Sequence, residues 1–221
     1  HQIAMNPHEP VKDTGLRRTY PNWVSREGAR GAEYDAWAVP KNDPGHVPEL
    51  IFTRMLSGPM DYTPTMLQDG RARRTTDAHE LALAVVFESP LTHFIDTPET
   101  YLDQPDEVEA FLRDVPTVWD ETVLLDGSPD SHVAIARRVD SDEGSETSAG
   151  WWIGAINGTD EAVAVDLTEL GGLGVRHDFE LICDGVDPQG GDVFTFGTIS
   201  ADELQLLRLP AFGGCVARPV R

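Results

Sequence analysis

Glu9, Glu27 and Glu33 are three carboxylates crowded into one short stretch of chain. Glu9 sits in Asn6-Pro7-His8-Glu9-Pro10, and the other two in Arg26-Glu27-Gly28-Ala29-Arg30-Gly31-Ala32-Glu33. Carboxylates at a strand end and in the loop after the next strand can divide the work of acid, base and metal ligand. Cleaving a glycosidic bond needs two such groups. One protonates the leaving oxygen, and the other attacks or activates a water on the opposite face. In an acidic chain any trio of glutamates is first of all surface charge. Here the setting argues for more: Pro7 and Pro10 flank Glu9, and Gly28 and Gly31 permit tight turns that aim Glu27 and Glu33 inward. On the residues alone, the catalytic or metal-binding reading and the surface-charge reading both stay open.

The elements that would hold these groups come next. Ile3 to Met5 reads as a strand leading into the Glu9 segment. Asn22-Trp23-Val24-Ser25 is a second, ending in the Glu27 loop, and Leu50-Ile51-Phe52-Thr53 is a third. Short apolar strands separated by helices or long loops predict a parallel sheet with its working loops at the C-terminal strand ends. Asp77-Ala78-His79-Glu80 has the form of a helix cap, with Glu80 three residues after Asp77. Leu81, Ala82, Val85, Val86 and Phe87 give that helix a broad apolar face, and Pro90 stops it. Another helix opens near Pro105, with Val108, Phe111 and Leu112 at helical spacing.

After Val115-Pro116 the texture changes. The runs Thr122–Leu125, His132–Ala136, Trp151–Ile156, Ala162–Val165, Phe179–Cys183, Val193–Phe196 and Leu204–Leu209 are short and rich in β-formers. Turn signals such as Asp126-Gly127, Asn157-Gly158, Asp184-Gly185 and Gly190-Gly191 separate them. Seven strands at this spacing predict an antiparallel sandwich. Asp140 to Ser148 reads as a solvated acidic hairpin tip. Trp151-Trp152 places one indole on each face of a strand, so at most one is expected in the core. Cys183 and Cys215 fall in this half, and two buried thiols are the simpler reading, although a pairing stays open. No His/Cys cluster accompanies them, which argues against zinc.

Composition narrows the partners. Among 221 residues there are 38 acidic ones, only two lysines (Lys12 and Lys41), and a net charge of −21. Such a surface repels nucleic acid phosphates and anionic membranes. With 40% hydrophobic residues, the acidity does not read as disorder. It reads as a surface selected to stay hydrated in concentrated salt, where charge repulsion is screened over roughly 3 Å at 1 M. No apolar run approaches the roughly 20 residues that span a bilayer. No signal peptide is visible, and the chain opens mid-pattern at His1-Gln2-Ile3-Ala4-Met5.

Two longer strings carry a resemblance: Thr14-Gly15-Leu16-Arg17-Arg18-Thr19-Tyr20-Pro21-Asn22 and Gly58-Pro59-Met60-Asp61-Tyr62-Thr63-Pro64. With the three glutamates, they resemble the C-terminal part of glycoside hydrolase family 97, over nearly the whole chain. The resemblance implies an α/β plus all-β architecture. Residues 1–115 would supply the last three β/α elements of a (β/α)8 barrel, and residues 116–221 an antiparallel β-sandwich. A glutamate at position 9 places the chain with the inverting, Ca2+-dependent branch, which hydrolyses terminal α-glucosides; α-galactosidase is the alternative specificity. By the same resemblance Glu33 is the general acid, Glu9 the general base, and Glu27 a calcium ligand, with Glu9 and Glu33 also reaching the ion. Glu33 must then hold a proton beside a cation.

The family usually reads Asp-Tyr-Thr-Pro-Gly, where this chain has Thr65 after Pro64. A further carboxylate ligand and a second candidate base come from segments preceding residue 1 in the family. An α-linked oligosaccharide is the expected partner, with a separately encoded N-terminal half as another. Polysaccharide substrates imply an exported enzyme. His8 is either a sugar-hydroxyl contact or a structural hydrogen bond, and Asp61 and Tyr62 are expected as substrate contacts, with Asp61 alternatively capping the next turn. Arg17 and Arg18 are expected to pair with nearby acids. Trp23 and Trp37 are placed in the core ahead of sugar stacking, and Trp119-Asp120-Glu121 is read as a staple between domains. Non-catalytic readings are a truncated remnant or a carbohydrate-binding module built on the sandwich.

Overall fold

The computed structural model describes residues 3–8, 11–68, 70, 73–140, 148–186 and 191–220. Glu9 and residues 141–147 of the acidic loop therefore lie outside the described residues. Among the described residues five α-helices precede the strands: α1 (Glu33–Trp37), α2 (His46–Phe52), α3 (Asp77–Val86), α4 (Pro98–Leu102) and α5 (Asp106–Asp114). Eight strands follow: β1 (Glu121–Gly127), β2 (His132–Val139), β3 (Gly150–Asn157), β4 (Val163–Asp166), β5 (Phe179–Val186), β6 (Asp192–Ile199), β7 (Leu206–Leu209) and β8 (Gly214–Pro219).

Six strands form one antiparallel sheet in the order β1-β2-β3-β8-β5-β6, and β4 pairs with β7 in a second sheet. The seven expected strands are all present, and β8 is an eighth. Asp126-Gly127 and Asp184-Gly185 lie inside β1 and β5, not at turns. Asp184 Oδ2 instead accepts the Gly214 amide at 2.6 Å.

The six-stranded sheet is covered on both faces. Ala134, Ala136, Trp151, Ile153, Ala155, Phe179, Cys215 and Ala217 pack toward Val165, Leu207 and Leu209 of the small sheet. On the opposite face Val133, Ile135, Trp152, Ile156 and Val216 pack against α3 and α5. Both Trp151 and Trp152 are therefore buried, because each face of β3 has its own cover. Cys183 and Cys215 are register partners on β5 and β8 and form a disulfide, in place of the two thiols expected. Trp119 packs edge-on to Trp152 and so joins the helical part to the sheet.

Helix α3 explains most of this arrangement. Nine of its ten residues are buried, so the helix is part of the core and not a surface element. Its N-cap is Thr76, one residue before the expected Asp77, and the Thr76 hydroxyl accepts the His79 amide. Glu80 turns elsewhere, accepting from the Thr75 hydroxyl and the Met66 amide. At the other end Arg137 of β2 donates to the carbonyls of Val85 and Val86, closing the helix from across the sheet. The helix lies so close to β3 and β8 that a Cβ at Gly154 would come within 2.9 Å of Val85 Cβ. One at Gly214 would come within 2.5 Å of His79 Cα.

The parallel sheet expected before residue 116 is present among the described residues only as one bridge, Met5 to Trp23. Extended segments continue it by single hydrogen bonds: Glu27 N to Pro7 O, Asp61 N to Arg26 O, and Met60 N to Glu88 O. The third expected strand, Leu50 to Thr53, is wrong, since Leu50 to Phe52 end helix α2. A short apolar run does not distinguish strand from helix. Val47 and Leu50, three residues apart, are the buried face. The extended segment after Pro59 takes that strand's place beside Arg26. No helix among the described residues is long and apolar enough to cross a membrane.

The close contact at Gly154 yields a test. Gly154→Val must push α3 off the sheet, and overpacking of this kind costs about 1–3 kcal/mol. At this size that corresponds to a melting temperature lower by roughly 2–4 °C per kcal/mol. Gly197→Ala, where an added Cβ meets nothing within 4 Å, should leave the melting temperature within about 0.5 kcal/mol equivalent of the parent. Equal effects at the two positions would show that the helix contact is not what limits stability.

Candidate active site

Two loops bring the acids together. Arg54 is buried and donates to the carbonyls of Arg26, Glu27, Gly58 and Pro59, which fixes the Glu27 loop against the segment after Ser57. Gly28 has φ +60, and a Cβ there would lie 2.8 Å from Val11 O. At Gly31 a Cβ would lie 2.6 Å from Tyr62 O, so only glycine lets the two backbones meet. Glu33 then opens helix α1, whose five residues end at Trp37.

Ligand atoms of His8, Glu27 and Glu33 lie within 4.8 Å of one another. Burial raises the Glu27 carboxyl above the ordinary range. His8 opposes that shift, while Glu33 and Asp61 push in the same direction. Among the described residues neither glutamate is paired with an arginine or lysine. His8 and Glu33 open onto a cleft of about 440 Å³, lined also by Trp37, Thr63, His93, Phe94 and Ile95.

The expected contacts sort themselves by depth. His8 lines the cleft, but Asp61 is wholly buried behind it and holds His8 Nε2 at 3.0 Å. Tyr62 is also buried, 2% exposed and stacked on Phe87, so it does not line the cleft as a substrate contact. Trp37 is 64% exposed and rims the cleft, contrary to its expected place in the core. Trp23 is half-buried beneath the Arg26 guanidinium. Arg17 pairs with Asp13 at 2.6 Å.

Asn6, Thr63, His93 and Phe94 are site residues that sequence reasoning passed over. Asn6 donates to Asp61, and the other three arrive through a pairing of segments 61–68 and 93–96: His93 N to Asp61 Oδ1, Ile95 N to Pro64 O, and the Leu67 and Gln68 amides to Asp96. The one sequence cue was Pro90, which frees the chain after α3.

A rim of indole and imidazoles, with Glu33 at its edge, suits carbohydrate, because pyranoses pair an apolar face with many hydroxyl groups. Residues 1–29 match the description "Glycoside hydrolase 97", and residues 118–218 match "Glycosyl-hydrolase 97 C-terminal, oligomerisation". The chain belongs to glycoside hydrolase family 97.

A retaining alpha-galactosidase of Bacteroides thetaiotaomicron is 34% identical over 184 residues, 77% of this chain and 26% of that protein. A probable retaining alpha-galactosidase of Streptomyces bingchenggensis is 32% identical over 190 residues, 85% of this chain and 27% of that protein. Among solved structures, a family 97 enzyme from Pseudoalteromonas sp. strain K8 in complex with panose matches with a TM-score of 0.83 at 34% identity. The match covers 99% of this chain and 35% of that one. The same enzyme in complex with acarbose matches with a TM-score of 0.81 at 35% identity, again over 99% and 35%. The chain thus spans 26–35% of the length of these relatives.

Two further tests follow from how the cleft floor is built. Thr65 has φ +72, is fully buried, and its hydroxyl has no partner. A β-branched residue in the left-handed region is strained by roughly 1–2 kcal/mol. Thr65→Gly should therefore raise the melting temperature; a fall would mean that side-chain packing outweighs the backbone strain.

Glu80 lies under the same segment. Burial pushes its carboxyl up, against the opposing pull of Arg73, the Thr75 hydroxyl and the Met66 amide. In the unfolded chain it titrates near 4.5. Its contribution to stability is therefore lost as pH rises from there through the folded value, because the unfolded chain releases the proton first. Glu80→Gln should stabilise at pH 7, with the advantage shrinking toward pH 4.5. A pH-independent difference would assign the effect to altered hydrogen bonds.

Proposed function

We propose that this chain supplies catalytic carboxylates to a hydrolase of terminal α-glucosidic bonds that works with inversion and binds Ca2+. The observation that carries the reading is the convergence of His8, Glu27 and Glu33, two of which line the cleft. Glu33 is assigned as the general acid that protonates the leaving oxygen. Glu9 is assigned as the base that takes a proton from the attacking water, on the strength of the family resemblance alone.

Glu27 and Glu33 suit a cation. They are close, one of them is buried, and neither is paired with an arginine or lysine among the described residues, so a divalent ion would relieve their repulsion. Calcium would be held by Glu27 and Glu33, with Glu9, and would supply a fixed positive charge to orient carboxylates and substrate. Hard cations take about six to eight oxygens, so the set is completed from outside these three residues. His8, a nitrogen donor, is left to hydrogen-bond a sugar hydroxyl. Trp37 offers a stacking face at the rim. Exposed Ile3, Met5, Leu16 and Tyr20 are apolar surface that a preceding or separately encoded N-terminal half would cover. The −21 net charge supports work in concentrated salt, and the disulfide supports an exported protein.

A second reading has its own support. The Bacteroides relative bears the name of a retaining alpha-galactosidase and the Streptomyces one that of a probable retaining alpha-galactosidase, whereas the Pseudoalteromonas structures hold panose and acarbose. Proton NMR of the first-formed sugar separates the two. β-Glucose released from p-nitrophenyl α-glucoside fits inversion, and α-galactose released from the galactoside would install the rival. The assay is run with the full-length polypeptide in molar salt, with calcium and then with chelator. Glu33→Gln should reduce turnover of an unactivated disaccharide by about 10²–10⁴-fold, and turnover of the nitrophenyl substrate far less. Equal losses on both would remove Glu33 as the acid. A sandwich from residue 116 onward that binds maltooligosaccharide alone would favour a binding module.

A further inference from the structure

Asp61 takes no part in the catalytic assignment above, yet it is the most heavily hydrogen-bonded acid beside the cleft. Its Oδ1 accepts the amides of Thr63 (3.3 Å) and His93 (3.1 Å). Its Oδ2 accepts Asn6 Nδ2 at 2.6 Å and faces two ring nitrogens, His8 Nε2 at 3.0 Å and His93 Nδ1 at 2.5 Å. Asp61 is fully buried and does not line the cleft. What it does is determined by what it holds.

A carboxylate only accepts, so each ring nitrogen that faces it carries the hydrogen. The two imidazoles are thereby fixed in opposite tautomers. In the neutral rings His93 keeps its hydrogen on Nδ1 and its lone pair on Nε2, and His8 keeps its hydrogen on Nε2 and its lone pair on Nδ1. The rings stand edge to face, with centroids 5.6 Å apart. The His93 side chain is 54% exposed and lines the cleft together with Trp37 and Phe94. Among the described residues Nε2 of His93 has no protein partner. A fixed, neutral lone pair at the wall of a cleft suits a hydroxyl donor, and sugars carry several.

We propose that Asp61 is a positioning residue for sugar recognition, and that His93, which it orients, accepts a substrate hydroxyl at Nε2. The sugar contact rests on the glycoside hydrolase reading above, whereas the tautomer assignment does not. Asp61 therefore acts one layer behind the substrate, and His93 is a specificity residue contributed by the chain after Pro90.

The experiment is imidazole 15N NMR of the labelled chain at pH 8, above the ordinary histidine range, followed by titration with panose. The expected spectrum shows His93 as a single Nδ1–H tautomer and His8 as a single Nε2–H tautomer. Panose should then shift the Nε2 signal of His93. His93→Ala, at an exposed side chain, should weaken panose about tenfold, the equivalent of one hydrogen bond of about 1–1.5 kcal/mol. Asp61→Asn should return His93 to mixed tautomers and weaken panose by a similar factor. If Asp61→Asn does not fold, the unsubstituted spectrum and His93→Ala still decide the matter.

Mixed tautomers for His93 in the unsubstituted chain would overturn the positioning role and leave the hydrolase reading intact. Fixed tautomers with unchanged panose affinity in His93→Ala would overturn the sugar contact. Fixed tautomers with no panose binding by the unsubstituted chain would overturn the contact together with the reading beneath it.

Discussion

The seating of α3 on β3 and β8 governs the rest of the molecule. A helix can lie this close to a sheet only where side chains are missing, and Gly154 and Gly214 leave that space. The proximity buries nine residues of a ten-residue helix and lets Arg137 reach the carbonyls of its last turn. The cleft depends on the same contact at one remove. Glu80 holds the Met66 amide, and the carbonyl of Glu88, just past the helix, holds the Met60 amide. The segment carrying Asp61 and Thr63 is thus tied at both ends to a helix embedded in the sandwich. The core does not respect the compositional change at Val115-Pro116, since Leu81 and Val85 share a cluster with Trp152 and Val216.

What was legible in the sequence follows from the same geometry. Strands such as β2 and β5 carry β-branched and aromatic residues and announce themselves. β8 did not, although it is central and every residue in it is buried. Its run Gly214-Cys215-Val216-Ala217-Arg218-Pro219 is small where α3 and the neighbouring strands press closest, and small residues are weak strand formers. The helix α2 was misread for the opposite reason, because Leu50-Ile51-Phe52 looks like a strand and is fixed as helix by tertiary burial of Val47 and Leu50.

The site was legible in part. Glu27, Glu33 and His8 stand out because they are close in sequence to glycines and prolines that constrain them. His93 and Asn6 do not, because each meets Asp61 across more than thirty residues. Trp37 and Tyr62 exchanged their expected places. An aromatic residue gives no local sign of which layer it will occupy: Tyr62 follows Asp61 into the protein, and Trp37 ends the short helix that begins at Glu33.

Two ways of handling a buried acid stand side by side at this cleft, and they separate support from chemistry. Asp61 is satisfied by amides, an amide side chain and two imidazoles. Among the described residues Glu27 is buried near Glu33 with no arginine or lysine against it, so burial and a neighbouring acid oppose its ionisation more than His8 and the Gly31 amide favour it. Burying a carboxylate at that disadvantage costs free energy. Groups kept in that condition are the ones whose protonation a cation or a substrate can change. His8 is the point of contact between the two regimes, fixed by Asp61 on one side and close to Glu27 and Glu33 on the other. On the proposed assignment, the order of the acids from the interior outward is also an order of function: Asp61 orients His8 and His93, and Glu27 and Glu33 carry the chemistry.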